Sequence, residues 1–306
     1  MAKKFIIGID LGGTNLKVAL LDLSCKIKDK EVLSTRSFLE KDDLILGLVH
    51  SVTRFIKYNN LSKAEILGVG LGLPGPVDTK AGIVHFFPNI PGWKEVPLRE
   101  ILRKNLGLPV FLDNDAKLMA LAEYKIGAAK GLHNVLCMTL GTGIGGGLIF
   151  NGKLYRGFNN AAGEVGHLPI NEKGPYCNCG AVGCLEAYVG NKRISLEAKK
   201  KFKRAISLEE LSALAERRNK VAIEIWRRAG AHLGFALAGV VNLLNLDAIV
   251  IGGGVAKAGN ALFDSINKTL KEQAMSVQAK RVRILKAKLG NEAGLIGAAI
   301  MVKEGL

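Results

Sequence analysis

The chain has no long uninterrupted apolar run. Its most apolar tract, residues 233–256, is broken by Asn242, Asn245 and Asp247, which excludes a membrane-spanning helix. The short run Phe5-Ile6-Ile7 after Lys3 and Lys4 ends at Asp10, too soon for the core of a secretory signal. The expectation is a cytoplasmic protein with no membrane partner. Cysteine is sparse, at five residues, and without a mark of secretion these are not read as disulfides. Acidic residues are in deficit, 27 against 43 Lys and Arg, leaving a net charge of +16. Such a balance suits polyanionic substrates such as nucleotides, or nucleic acid. Aromatics make up only 6 %, and the densest basic cluster, Lys199-Lys200-Lys201 with Lys203 and Arg204, has Phe202 alone beside it. A single-strand-binding face needs interleaved aromatics, so the cluster reads as a solvated surface, of a kind found in heat-adapted proteins, and no nucleic-acid partner is expected. There is no Gly-Lys-Ser/Thr phosphate loop.

What the chain does have is concentrated between residues 163 and 186. Gly163-Glu164-Val165-Gly166-His167 is followed by Cys177-Asn178-Cys179 and by Cys184-Leu185-Glu186, a His-x9-Cys-x-Cys-x4-Cys spacing. One imidazole and three thiolates make a closed tetrahedral donor set for a structural zinc ion. Gly174, Pro175, Gly180 and Gly183 allow the sharp bends that would bring His167, Cys177, Cys179 and Cys184 together. Ordinary buried cysteines are the alternative, and spacing and compartment favour the metal. Glu164 and Glu186 flank the ligands. Each alone reads as a solvated carboxylate; together with His167 on one metal knot they could read the hydroxyls of a sugar.

The 306 residues, 48 % apolar and 23 % charged, suffice for two domains of a soluble globular protein. Residues 5–10 read as a strand ending in Asp10, followed by the turn Gly12-Gly13-Thr14-Asn15 and a second strand to residue 22. Such a turn presents backbone N–H groups to phosphate oxygens, and Asp10 could hold magnesium through water. A plain hairpin is the competing reading. The same layout recurs later. Residues 135–140 read as a strand, and Gly141-Thr142-Gly143-Ile144-Gly145-Gly146-Gly147 contains G-x-G-x-x-G. A dinucleotide fold requires a helix next, but Leu148-Ile149-Phe150-Asn151-Gly152 reads as strand and turn, so that fold is rejected in favour of a duplicated unit holding one polyphosphate. Between these repeats, Asp113-Asn114-Asp115 lies at a strand-to-helix junction. A helix cap is the common use of such residues; a general base for a hydroxyl nucleophile is the chemical one. Ser207 and Glu210 suggest a capping box, helical patterning continues over residues 221–244, and a buried strand at 248–251 runs into Gly252-Gly253-Gly254, where a nucleoside could sit. Residues 293–302 read as a small-residue core helix.

Taken in order, Asp10-x-Gly-Gly-Thr14, Asp113-Asn-Asp-Ala116, Leu140-Gly-Thr-Gly-Ile-Gly-Gly-Gly147, Gly163-Glu-Val-Gly-His167 and Cys177-x-Cys-Gly-x-x-Gly-Cys-x-Glu186 resemble the ROK family over nearly the whole chain. The loop Pro88-Asn89-Ile90-Pro91-Gly92-Trp93 resembles one in its glucose-phosphorylating branch. The resemblance implies the actin-like, ribonuclease-H-like ATPase fold: two α/β domains around a nucleotide cleft, residues 1–117 with 290–306 and residues 118–289. It implies ATP-dependent phosphorylation of a hexose at its 6-hydroxyl, glucose first, with mannose, N-acetylmannosamine, N-acetylglucosamine or fructose as alternatives. Asp115 would be the catalytic base, and Asn89, Asn114, Glu164, His167 and Glu186 would bind the sugar. Gly12, Gly13, Thr14, Thr139, Gly141 and Thr142 would surround the phosphates of ATP, with magnesium near Asp10 and the adenosine beside Gly253 and Gly254. A homodimer is the family's expectation. The family's sugar-responsive repressors carry an N-terminal helix-turn-helix, for which a first strand at Phe5 leaves no room in this sequence. A sugar-binding protein without catalysis would not need Asp115.

Overall fold

The structure is a computed structural model that describes residues 2–35, 38, 40–87 and 92–305. By internal contacts the chain divides into two compact units, Met1–Lys125 with Arg156–Ala162 and Asn291–Leu306, and Ile126–Tyr155 with Gly163–Gly290.

In the first unit the strands are β1 (Phe5–Leu11), β2 (Asn15–Asp22), β3 (Ile27–Ser34) and β4 (Ile66–Leu73), a small three-stranded sheet of β5 (Val77–Asp78), β6 (Ile83–Phe86) and β7 (Lys94–Val96), and β8 (Val110–Asn114). The main sheet runs β3-β2-β1-β4-β8, with β1, β2 and β3 antiparallel and β4 and β8 parallel to β1. Parallel strands need covering on both faces, and Val69, Leu71, Leu73, Val110 and Leu112 are accordingly buried. Helix α1 (Lys41–Tyr58) lays Leu44, Ile45, Leu48, Val52, Phe55 and Ile56 on the core, residues that share one helical face. Helices α2 (Leu98–Leu106) and α3 (Asp115–Ile126) follow. Helix α3 falls with the first unit except for its last residue, Ile126.

The second unit has β9 (Val135–Leu140), β10 (Ile144–Phe150), β11 (Lys153–Tyr155), α4 (Glu186–Val189), α5 (Asn191–Phe202), α6 (Leu208–Glu216), α7 (Lys220–Leu244), β12 (Ala248–Gly252), α8 (Asn260–Gln273), α9 (Ser276–Ala279) and β13 (Arg283–Lys286). Its sheet runs β11-β10-β9-β12-β13, with β9, β10 and β11 antiparallel and β12 and β13 parallel to β9. Order and direction match those of the first sheet position by position. The segment after the second glycine turn is strand β10, as the rejection of a dinucleotide fold required. Helix α7 is capped by Asn219, whose side chain accepts from Ala222 N at 3.1 Å. Ser207 caps α6 through Glu210 N at 3.0 Å, but only half of the expected box forms: the Glu210 carboxylate is taken by Arg204. An exposed glutamate gains more from a guanidinium than from one backbone amide.

Helix α10 (Ala293–Glu304) closes the chain within the first unit, with every residue of 293–302 buried against β1, β4 and β8. No helix among the described residues is long and apolar enough to cross a membrane.

Candidate active site

In the first unit two features lie near strand ends. At the tip of the β1–β2 hairpin, Gly12 N donates to Asn15 O at 2.8 Å, leaving Gly13 and Thr14 exposed. Strand register sets Lys17 opposite Asp10, and its ammonium donates to Asp10 Oδ2 at 2.7 Å and to Asn291 O at 3.1 Å. Helix α10 presses Gly294 against this carboxylate so closely that a Cβ there would lie 2.7 Å from Asp10 Cγ. Asp10 is thus held by a lysine and a helix start, and Lys17 is a participant that residue-type reasoning missed. The register of β2 against β1 was its only sequence signal.

The second feature is Asp113-Asn114-Asp115. Asp113 is 1 % exposed; its Oδ1 accepts from Asn114 N at 2.8 Å and its Oδ2 from Arg156 Nε at 2.9 Å. Asn114, not an aspartate, caps α3: its Oδ1 accepts from Ala116 N at 3.1 Å and Lys117 N at 3.2 Å, while Nδ2 donates to Gly75 O at 3.2 Å. Much of its hydrogen-bonding capacity is therefore spent within the unit. Asp115, half-buried, opens α3 and accepts from Ala116 N at 2.8 Å through Oδ1. Arg156 carried no signal in the sequence. Asn89 lies outside the described residues.

In the second unit the β9–β10 hairpin repeats the first: Gly141 N donates to Gly143 O at 2.9 Å, and Thr142 is exposed. Thr139 lies on β9 and is half-buried. Glu186 Oε2 accepts from Ile144 N at 2.7 Å, and a Cβ on Gly143 would lie 2.5 Å from that oxygen. Glu186 thus fastens the start of α4 to the glycine turn, and Asn191 N fastens the start of α5 to it at Gly141 O, 3.2 Å away. Gly253 has φ +86° and packs on the backbone of Leu140; Gly254 has open space around it.

Between Glu164 and Glu186 lies the cysteine knot. One 3-10 turn, Val165–His167, carries the imidazole, and exposed Glu164 precedes it. Cys177 N donates to Ala181 O at 2.8 Å, and isolated bridges pair Pro169 with Cys184 and Tyr176 with Val182. The four ligand atoms lie within 4.8 Å of one another. His167 Nδ1 is 3.6 Å from Cys177 Sγ, and Cys179 Sγ is 3.7 Å from Cys184 Sγ. A tetrahedral zinc with ordinary bond lengths separates nitrogen from sulfur by about 3.6 Å and sulfur from sulfur by about 3.8 Å. The donor set is therefore compatible with a structural zinc. All five cysteines are free of disulfides. Burial pushes the Cys184 thiol up to about 12, whereas the Ala181 backbone leads the causes that lower Cys179. A buried thiol of that kind becomes a thiolate only beside a strong cation.

Two copies of a β3-β2-β1-β4-β8 type sheet, each with a glycine turn in its central hairpin, define an actin-like ATPase fold. The chain belongs to the ROK family, whose pattern it matches over residues 6–305. It is 35 % identical to a glucokinase of Halalkalibacterium halodurans, over 99 % of this chain and 96 % of that protein. Among solved structures, a ROK glucokinase of Streptomyces griseus in complex with glucose and AMPPNP aligns over 98 % of this chain and 100 % of its own, with TM-score 0.85 and 30 % identity. A ROK transcriptional regulator, a homolog of the Escherichia coli MLC protein, aligns over 98 % of this chain and 78 % of its own, with TM-score 0.91 and 27 % identity.

Proposed function

We propose that the protein is an ATP-dependent kinase that phosphorylates a hexose at its 6-hydroxyl, with glucose as the preferred acceptor. The observation that carries this reading is the placement of Asp115. It opens a helix at a strand end whose two preceding residues are fixed by hydrogen bonds from Asn114 N, Arg156, Ala116 N and Lys117 N and to Gly75 O. A carboxylate set on so fixed a frame suits a general base, which must stay within hydrogen-bond reach of one hydroxyl.

In the proposed reaction Asp115 accepts the proton of the sugar 6-hydroxyl as its oxygen bonds to the γ-phosphorus of ATP. The bond from that phosphorus to the β-γ bridging oxygen breaks, giving ADP and the hexose 6-phosphate. The amides and hydroxyls of Gly12, Gly13, Thr14, Thr139, Gly141 and Thr142 would hold phosphate oxygens, and Gly253 with Gly254 would flank the adenosine. Asp10 offers a hard oxygen ligand suited to magnesium, which when bound supplies neutralisation of phosphate charge. Asn89, Asn114, Glu164, His167 and Glu186 are assigned to the sugar hydroxyls. His167 turns Nδ1 to the cysteines, which leaves Nε2 for a hydroxyl. His167, Cys177, Cys179 and Cys184 would hold the zinc, whose contribution is rigidity rather than chemistry. The likeness to glucokinases supports glucose; the likeness to a ROK regulator keeps a sugar-responsive sensor as the competing reading. A cytoplasmic homodimer accompanies the reading as the family's expectation.

The test is ADP release from Mg-ATP against glucose, mannose, fructose, N-acetylglucosamine and N-acetylmannosamine. Fastest turnover on glucose is expected. Faster turnover on another sugar would move the specificity while keeping the reaction. Sugar binding without turnover of any acceptor would overturn the kinase reading in favour of a sensor.

A further inference from the structure

We infer that Arg156 is a positioning residue for Asp115, acting through Asp113; the inference rests on the reading of Asp115 as the base. Residues 156–162 count with the first unit, although β11 before them and Gly163 after them count with the second. Two contacts hold this loop to the first unit. At one end Arg156 Nε donates to Asp113 Oδ2 at 2.9 Å. At the other, Thr79 Oγ1 donates to Asn160 Oδ1 at 3.1 Å. Between them Phe158 is fully exposed, so the loop is held by its polar ends and not by burial of its aromatic.

The Arg156 contact has the marks of a geometric rather than an energetic role. Asp113 is 1 % exposed and the Arg156 side chain 20 %. A buried ion pair adds little net stability over apolar packing, because desolvation opposes the attraction. Moreover, Arg156 Nη2 is buried with no hydrogen-bond partner among the described residues, an outlay that packing alone would avoid. What the pair does is fix a carboxylate. With Oδ2 taken by the guanidinium, Asp113 Oδ1 is aimed at Asn114 N, 2.8 Å away. Asn114 Oδ1 in turn accepts from Ala116 N and Lys117 N and sets the first turn of α3. Asp115 is the residue enclosed between them. The relay from Arg156 to Asp113 to Asn114 to the start of α3 leaves the base no independent freedom of backbone.

The test compares R156M, R156K and the double variant D113N/R156M with wild type, reading kcat and KM separately and hydrogen exchange of the segment 113–118. R156M strands a buried carboxylate and can fail to fold. The double variant removes both charges and keeps an acceptor for Asn114 N, so it preserves the test. The expected result is a kcat lowered about 10- to 100-fold, as a misplacement on the ångström scale produces, with the KM for sugar within about threefold. Exchange should rise at 113–118 ahead of the rest of the protein, and R156K should restore part of kcat. Unchanged kcat and exchange in the double variant would overturn the inference, as would a loss that tracks thermal stability alone. If wild type turns over no hexose, the kinase reading fails. The relay is then judged on exchange: selective loss of protection at 113–118 upholds it and unchanged protection overturns it.

Discussion

Glu186 shows how a single carboxylate can tie a helix start to a glycine turn. It stands two residues after the candidate ligand Cys184 and spends one oxygen on Ile144 N, the first amide of β10 after the glycine turn. Gly143 is what allows the approach, since any Cβ there would fall 2.5 Å from Glu186 Oε2. Gly143→Ala should therefore push the carboxylate off Ile144 N. A lost hydrogen bond to a charged group is worth about 1.5–3 kcal/mol, so kcat/KM should fall by about one to two orders of magnitude; steady-state kinetics would read it, and unchanged kinetics would dissociate Glu186 from the turn. The His167, Cys177, Cys179 and Cys184 set stood out by its spacing, and the fold brings those four together, whereas Asp115 and Glu186 were singled out as candidates through the resemblance to the family. Their partners were not. Arg156 lies 43 residues from Asp113 and Glu186 lies 42 from Ile144. Only the tertiary fold creates such pairs, and neither an arginine nor a backbone amide carries a motif.

At the scale of elements, the cysteine knot and the capped strand ends carry the testable claims. Segment 163–186 has little regular structure beyond short helical turns and bridges, and in the zinc reading a metal on His167, Cys177, Cys179 and Cys184 would hold its shape. Protein purified without added metal should contain about one zinc per chain by elemental analysis. Cys184→Ser should lose the metal and raise the KM for sugar before it affects the first unit; full retention of zinc would contradict the ligand assignment. A second element-scale claim concerns Asp247, which joins the end of α7 to the start of β9. The amides of Asn134 and His133, at 2.7 and 2.9 Å, hold its carboxyl below the usual range, Asn134 foremost. The folded pKa is depressed, so this stabilisation is present above the unfolded value of about 3.9 and is lost as pH falls through the folded one. Asp247→Asn should flatten the acid limb of the denaturation profile below about pH 4; an unaltered limb would show that the Asp247 charge contributes nothing to the pH dependence of stability. Helix α7 and strand β12 could be read from periodicity, whereas the Glu210 half of the α6 capping box was misread because Arg204 competes for it.

At the scale of the whole molecule, the duplication is the organising fact. Two hairpins with a glycine turn at the tip, each followed by two parallel strands, give the same strand order twice. The repeat was visible in the spacing of glycines and threonines, since turns between antiparallel strands have sharp residue requirements. The strand order itself depended on crossovers that no local pattern specifies, and the assignment of residues 156–162 to the first unit had no sequence signature at all. The proposed kinase reaction depends on Asp115 as its base. The most direct test is Asp115→Asn beside wild type, with glucose binding by calorimetry and ADP release from Mg-ATP measured on the same preparations. The expected result is glucose binding within a few-fold of wild type and turnover reduced by about 10²–10⁴. Turnover of the variant equal to that of wild type would contradict it.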